Sequence, residues 1–299
     1  MENNFENFYN NISPRLKKYE ILRYFLLALL ILLEIGVVVF MYFIVTTTYD
    51  FPVEKARCLK HIFTIVIFAS WLHFFIKKQF EMRVKKKIIE EFCDCFENYD
   101  WQEWMIGESY LDEKTLRETK ILPKFTQRYS DDNFSGLYKG LPVVITEQRL
   151  DCGGSGIYAA RVFEGLVIGY AFEETFPAEI IVRDGNILPP ANLEKVTLED
   201  TEFNKMFNVY SNDQIECRFI LTTSFMEKLK TLKTLFNAKH VSASFVEDKL
   251  YIAADIRKDS FNIANLFKPV NNRKDFEIMY NQFEFILKIA DLLKLTDRI

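Results

Sequence analysis

Asp131, Asp132, Glu147, Arg149 and Arg161 crowd one part of the chain and form its best equipment for hydrolysis. Paired carboxylates can act as general acid and base, and guanidiniums hold anions, so a hydrolase acting on a membrane or envelope substrate would use such a set. These residues flank strand candidates and are expected near hairpin loops, where carboxylates are commonly solvated or cap a turn. A second constellation lies in apolar surroundings. Glu34 interrupts YFLLALLILLEIGVVVFMYFIV (Tyr24 to Val45), and a second apolar run, HIFTIVIFASWLHFFI (His61 to Ile76), brings Ser70 to similar depth with His73 about one turn inward. Two readings follow: a proton-linked Glu34–His73 pair or oligomer contact, and a protonated carboxyl bonded to Ser70 or to a backbone carbonyl. No residue is assigned as catalytic, because no nucleophile stands beside a base.

Several chemistries are excluded or weakened by composition. The five cysteines, Cys58, Cys93, Cys95, Cys152 and Cys217, include no C-x-x-C pair, which argues against a disulfide framework and a zinc site and fits a reducing compartment. Only three histidines occur, and His240 alone lies outside the apolar front of the chain. No metal ligand set and no cofactor are read from the sequence. DCGGSG (Asp151 to Gly156) lacks the Lys-Ser/Thr of a phosphate loop and reads as a flexible hairpin turn or a mobile binding loop. Residues 88–299 carry 25 Lys/Arg against 35 Asp/Glu, a balance of −10 that opposes nucleic-acid binding.

The elements that must position these residues begin with two membrane helices. The 22 residues from Tyr24 to Val45 match the roughly 30 Å of bilayer hydrocarbon; His61 to Ile76 is shorter and needs Lys60 and Lys77 to snorkel. Residues 1–23 hold four Lys/Arg and residues 77–87 hold six, against three in the link between the runs, so both termini are expected in the cytoplasm at the cell membrane. From Lys77 the second helix should continue, with Phe80, Val84, Ile88, Phe92 and Phe96 making one stripe. Its Lys77, Lys78, Arg83, Lys85, Lys86 and Lys87 are placed for anionic lipid headgroups, or simply for topology.

Period-two patterning then predicts strands at Leu141–Leu150, Ile157–Phe163, Leu166–Phe172 and Glu179–Arg183, the last closed by Asp184-Gly185, a hairpin signal. Glu199 and Asp200 open a short helix, and Gln214–Leu221 reads as a strand with Ile215, Cys217, Phe219 and Leu221 on one side. Cys217 is therefore expected as a small core residue. Thr222 or Ser224 caps the next helix, and HVSASFV-EDK-LYIAADI is a hairpin that sends Val241, Ala243 and Phe245 to one face and His240, Ser242 and Ser244 to the other, leaving His240 on the rim. A last helix carries Phe276, Met279, Phe283, Ile286, Ala290 and Leu293 toward the sheet. The expected organisation is a cytoplasmic segment (1–23), a transmembrane hairpin (24–76), a juxtamembrane basic helix (77–106) and an acidic α+β domain with an antiparallel sheet and flanking helices (107–299).

SDDNFSGLYKGLPVVITEQRL (Ser130 to Leu150), VFEGL (Val162 to Leu166), KVTLEDTEFNKMFNVYSNDQIECRFILTTSFMEKL (Lys195 to Leu229) and KLYIAADI (Lys249 to Ile256) behind two apolar helices resemble the bacterial family numbered 3137 among domains of unknown function. The most specific element is E-F-x-x-x-F-x-V-Y-S-x-D, Glu202 to Asp213. Thr223 stands where the family pattern leads one to expect Pro, a change the first turn of a helix tolerates. The resemblance implies a bacterial membrane protein with a cytoplasmic domain, supplies no catalytic residues, and suggests a LemA-type membrane protein as a partner. Residues and resemblance together favour a non-enzymatic binding or scaffold module, whose partners are the lipid bilayer and another membrane or cytoplasmic protein. The alternatives are the tethered hydrolase and a membrane function centred on Glu34.

Overall fold

A spacing of three and four between Phe5, Phe8, Ile12 and Leu16 puts a single apolar stripe on a helix, and all four are buried in the computed structural model. The structure describes residues 2–47, 52–154, 159–185, 192–261 and 263–293. The chain divides into two units, one of residues 1–95 with 262–277 and one of residues 96–261 with 278–299. In the first, helix α1 (Glu2–Thr47) packs its stripe on helix α2 (Pro52–Asp94), whose Phe80, Val84, Ile88 and Phe92 are buried as their four-residue spacing predicts. The rings of Phe8 and Phe92 meet edge-on at 5.7 Å. A returning segment is pinned to α1 by polar contacts: Arg23, paired with Glu20, donates to the Leu266 carbonyl at 3.3 Å, and Glu20 accepts from the Val270 amide at 2.9 Å. The apolar stretches expected to cross a membrane are different in kind. Of the most apolar eighteen-residue windows of the two helices, 6% and 0% are buried, and Leu29, Ile31, Val38, Phe63, Phe68 and Phe74 lie exposed.

The second unit is built on a nine-stranded antiparallel sheet, in the order β1-β2-β3-β4-β9-β8-β5-β7-β6. The strands are β1 (Tyr99–Ile106), β2 (Gln127–Tyr138), β3 (Leu141–Gly153), β4 (Ala159–Ala171), β5 (Ile180–Asp184), β6 (Glu194–Val196), β7 (Phe207–Ser211), β8 (His240–Val246) and β9 (Lys249–Asp255). Lys139 and Gly140, both at positive φ, make the two-residue turn between β2 and β3 that matches strand twist. Helices α3 (Glu113–Glu118), α4 (Thr201–Met206), α5 (Gln214–Ile220), α6 (Thr223–Leu235) and α7 (Arg273–Leu293) complete the set. From Ile278 onward α7 covers one sheet face: Phe283 lies edge-on to Phe134 at 5.3 Å, and the buried Tyr170 hydroxyl donates to the Ile286 carbonyl at 2.7 Å. On the other face Leu150, Phe163, Val167 and Ile181 meet Leu111, Leu116, Ile121 and Phe125. The α+β class with an antiparallel sheet and flanking helices is thus the one expected.

Several elements differ from expectation for definable reasons. Gln214–Leu221 is not a strand: Asp213 caps helix α5 by accepting from Ile215 and Glu216 amides, which leaves Ile215 (78% exposed) and Phe219 (57%) in solvent while Cys217, Ile220 and Leu221 are buried. Local capping outweighed an alternating pattern. The strands expected at 157–163 and 166–172 are one strand, β4, with residues 157 and 158 outside the described residues. Asp184-Gly185 closes no hairpin, since the sheet neighbours of β5 are β7 and β8. The basic helix ends at Asp94, and residues 99–106 form strand β1 instead. Thr222 is the cap of α6, accepting from the Phe225 amide at 3.2 Å.

Candidate functional site

A β-bulge brings Asp131 and Asp132, which the sequence reads as turn residues, against Glu147 of an expected strand. Ser130 pairs with Gln148 and Asn133 with Thr146, so Asp131 and Asp132 of β2 jointly oppose Glu147 of β3. A regular strand would send two consecutive side chains to opposite faces; the extra residue re-aims one of them. Asp259, from the segment after β9, joins them, and one oxygen from each of the four carboxylates lies within 4.8 Å of all the others. Asp132 and Glu147 are buried, Asp131 is half-buried and Asp259 exposed, so the group opens to water on one side only.

Each carboxylate is held by its surroundings. The Trp104 indole N–H, from β1, donates to Asp132 Oδ1 at 3.0 Å. The Ser260 amide donates to Glu147 Oε1 at 2.8 Å, and the Phe261 amide donates to Asp259 Oδ1 at 3.1 Å. The Asn133 side-chain amide donates to the Asp131 carbonyl at 2.7 Å, which fixes the bulge itself. The phenyl rings of Phe134 and Phe261, 4.8 Å apart, form the apolar wall below. Glu147 Oε2 is buried and has no hydrogen-bond partner among the described residues. Burial, and then the carboxylates of Asp259 and Asp132, push the Glu147 carboxyl well above the usual carboxylate range against the opposing pull of the Ser260 amide. Oxygen-only donors of this kind suit hard cations, and a carboxyl with a raised pKa equally suits proton transfer.

Arg149 and Arg161 are engaged elsewhere: Arg149 pairs with Asp151 at 2.8 Å and Arg161 with Glu164 at 2.6 Å. Asp259 and Trp104 were not singled out from the sequence. Asp259 lies in a polar run, RKDSFN, whose Asx-type contact to the Phe261 amide was the one available signal. In the helical unit Glu34 Oε1 lies 3.4 Å from His73 Nδ1, whereas Ser70 donates to the Val66 carbonyl of its own helix at 2.8 Å. His73 also stacks on Phe267. Of the basic residues after the second apolar run, Lys77, Lys78, Arg83, Lys86 and Lys87 reach the surface, but Lys85 is only 6% exposed, because it shares the inward face with Val84, Ile88 and Ile89. Lys85, expected with the others at lipid headgroups, instead faces the interior of the helical unit.

Cys93 and Cys217 are buried, and burial raises both thiols, that of Cys217 to about 11. His240 stands on the rim with Nδ1 3.9 Å from Asp184 Oδ2. The turn expected at 151–156 is described only to residue 154, with Gly153 at positive φ. A surface cavity of about 540 Å³ lies apart from these groups, lined by Asn98, Tyr99, Asp100, Leu137, Lys139 and Gly140.

The model of a family described as "Protein of unknown function (DUF3137)" matches residues 161–295, so the family resemblance read from the residues holds. Of the four clustered acids only Asp259 falls within that match. The stretch from Glu202 to Asp213 serves the fold: Phe203 stacks on Phe207 at 4.6 Å, Val209 is buried, and Ser211 and Asp213 shape the entry to α5. No curated protein matches the chain. A solved structure, the mycobacterial trehalose monomycolate transport factor A, TtfA, is similar over 64% of this chain and 88% of that one, at 10% identity and a TM-score of 0.31, too loose a likeness to carry any argument.

Proposed function

We propose that this chain is a membrane-tethered cytoplasmic binding module, with its two apolar stretches crossing the cell membrane and both ends on the cytoplasmic side. The observation that carries this reading is the exposure of those stretches along two helices whose remaining turns bury a well-defined stripe. Apolar surface of that extent is stable only when covered, and a bilayer covers it along the length of both helices. The surface cations Lys77, Lys78, Arg83, Lys86 and Lys87 then meet the inner leaflet, each contributing about 1 kcal/mol where the lipids are anionic. Tethering concentrates the sheet unit beside other membrane-associated proteins, which are its partner class. Alkaline extraction of native membranes tests the anchor: the chain stays in the pellet, and its release to the supernatant refutes the reading. A reporter fused after Ile299 tests the orientation and is active only on the cytoplasmic side.

The convergence of Asp131, Asp132, Glu147 and Asp259 supports a second reading, a tethered hydrolase. Screening the detergent-solubilised full chain against ester and phosphoester substrates tests it, with Glu147→Gln abolishing any activity that belongs to this site.

A further inference from the structure

We infer that the bulge between β2 and β3 is a binding site for a hard divalent cation of calcium size, held by Asp131, Asp132, Glu147 and Asp259. The inference is independent of the membrane reading, since every group in it belongs to the sheet unit.

Three aspartates near one another do not make a site. What distinguishes this place is Glu147, which is 5% exposed, contributes one oxygen to the group of four and has a buried Oε2 with no hydrogen-bond partner among the described residues. A buried carboxylate oxygen that faces other carboxylates needs either a proton or a cation, because Coulomb repulsion is strong where water is scarce. One proton satisfies one oxygen; a cation satisfies four at once. With all four groups ionised the formal charge of −4 falls to −2 on binding a divalent ion.

Size and donor type narrow the choice. Ca–O bonds of about 2.3–2.6 Å allow ligands on opposite sides of one ion to stand about 4.6–5.2 Å apart, and these oxygens lie within 4.8 Å of one another. Mg–O bonds of about 2.0–2.1 Å would draw the same oxygens closer, and Mg²⁺ generally keeps several waters and uses one or two carboxylates. No thiol or imidazole takes part in the cluster, so zinc-like ions have no preferred donor there. The supports around the carboxylates also fit: the Trp104 N–H on Asp132, the Ser260 amide on Glu147 and the Phe261 amide on Asp259 each fix one oxygen and orient the other. Exposed Asp259 gives the ion its route in and out.

Terbium luminescence on the full chain in detergent, freed of metal by chelation, tests the site, because Tb³⁺ substitutes for Ca²⁺ and Trp104 is placed to sensitise it. The expected result is a saturable signal that Ca²⁺ displaces at a lower concentration than Mg²⁺, is weakened several-fold by Trp104→Phe, and shows at least tenfold poorer affinity in Glu147→Gln and Asp132→Asn. A second measurement does not depend on the variants folding: Ca²⁺ raises the melting temperature of the unmodified chain at constant ionic strength, because it binds only the folded state. A signal that does not saturate, affinity unchanged in both carboxylate variants, or a melting temperature indifferent to Ca²⁺ overturns the site. Displacement by Mg²⁺ before Ca²⁺ overturns the assignment to a calcium-sized ion.

Discussion

Each unit of this molecule places a glutamate where water is scarce by sequence or by burial, and the two are treated in opposite ways. Glu34, inside the apolar stretch of α1, is met by a base, His73, at 3.4 Å. Glu147, inside the sheet, is met by three other acids. The type of partner decides what each site asks for. A carboxylate beside an imidazole can settle by sharing one proton across the pair, whereas a carboxylate among carboxylates is relieved only by a proton or a cation from outside. The same residue type thus meets a base in one unit and only other acids in the other.

The largest expected effect breaks the sheet side of this contrast at its apolar wall. Phe134→Ala removes a ring packed between Phe261 and Phe283 and should cost about 3–5 kcal/mol, read by denaturant unfolding of the solubilised chain. Because Phe261 adjoins Ser260 and Asp259, the same variant should lose its response to Ca²⁺; full retention of that response would separate the carboxylates from the core below them. On the helical side, Glu34→Leu should favour membrane integration of the 24–45 segment by about 2.5–3.5 kcal/mol, measured by the integrated fraction in a translocation assay. Unchanged integration would mean that His73 already cancels the cost of the acid.

A smaller effect tests the pair directly. A double-mutant cycle of Glu34→Gln and His73→Phe should give a coupling of about 0.6 kcal/mol, the typical size for polar pairs between membrane helices. Zero coupling would mean that His73 contributes nothing to holding Glu34. The smallest effect is on rates. Cys93 in one unit and Cys217 in the other should both resist alkylation at neutral pH and react after the half-buried Cys95 and Cys152. For Cys217 the rate should rise as pH approaches about 11, where its thiolate forms in the folded chain. Burial acts alike on a thiol in either unit, so similar rates for the two would confine the contrast to the carboxylates.

Much of the helical unit was legible in sequence because helix periodicity is long and self-averaging: the stripe from Phe80 to Phe92 is buried residue by residue. The sheet was legible where alternation is regular, as in β8 and β9. It was hidden where alternation breaks, and the candidate site is such a place. Asp131 and Asp132 read as turn residues because a bulge in SDDNF looks locally like the end of a strand. Asp259 could not be joined to them, since no local rule links a residue after β9 to the middle of β2. Gln214–Leu221 failed for the opposite reason. Its alternating apolar residues were persuasive, but Asp213 with Glu216 three positions on is the start signal of a helix.

The bulge carries one more consequence, for length rather than composition. Exchanging Asp131 or Asp132 for another residue alters the charge at one point of the sheet. Deleting either one would leave Gln127 to Ser130 opposite the same β3 partners and on the same faces, but it would turn two residues opposite Glu147 into one and so remove the bulge that brings both carboxylates to it. At this point of the chain a missing codon would spare the strand and dismantle the cluster.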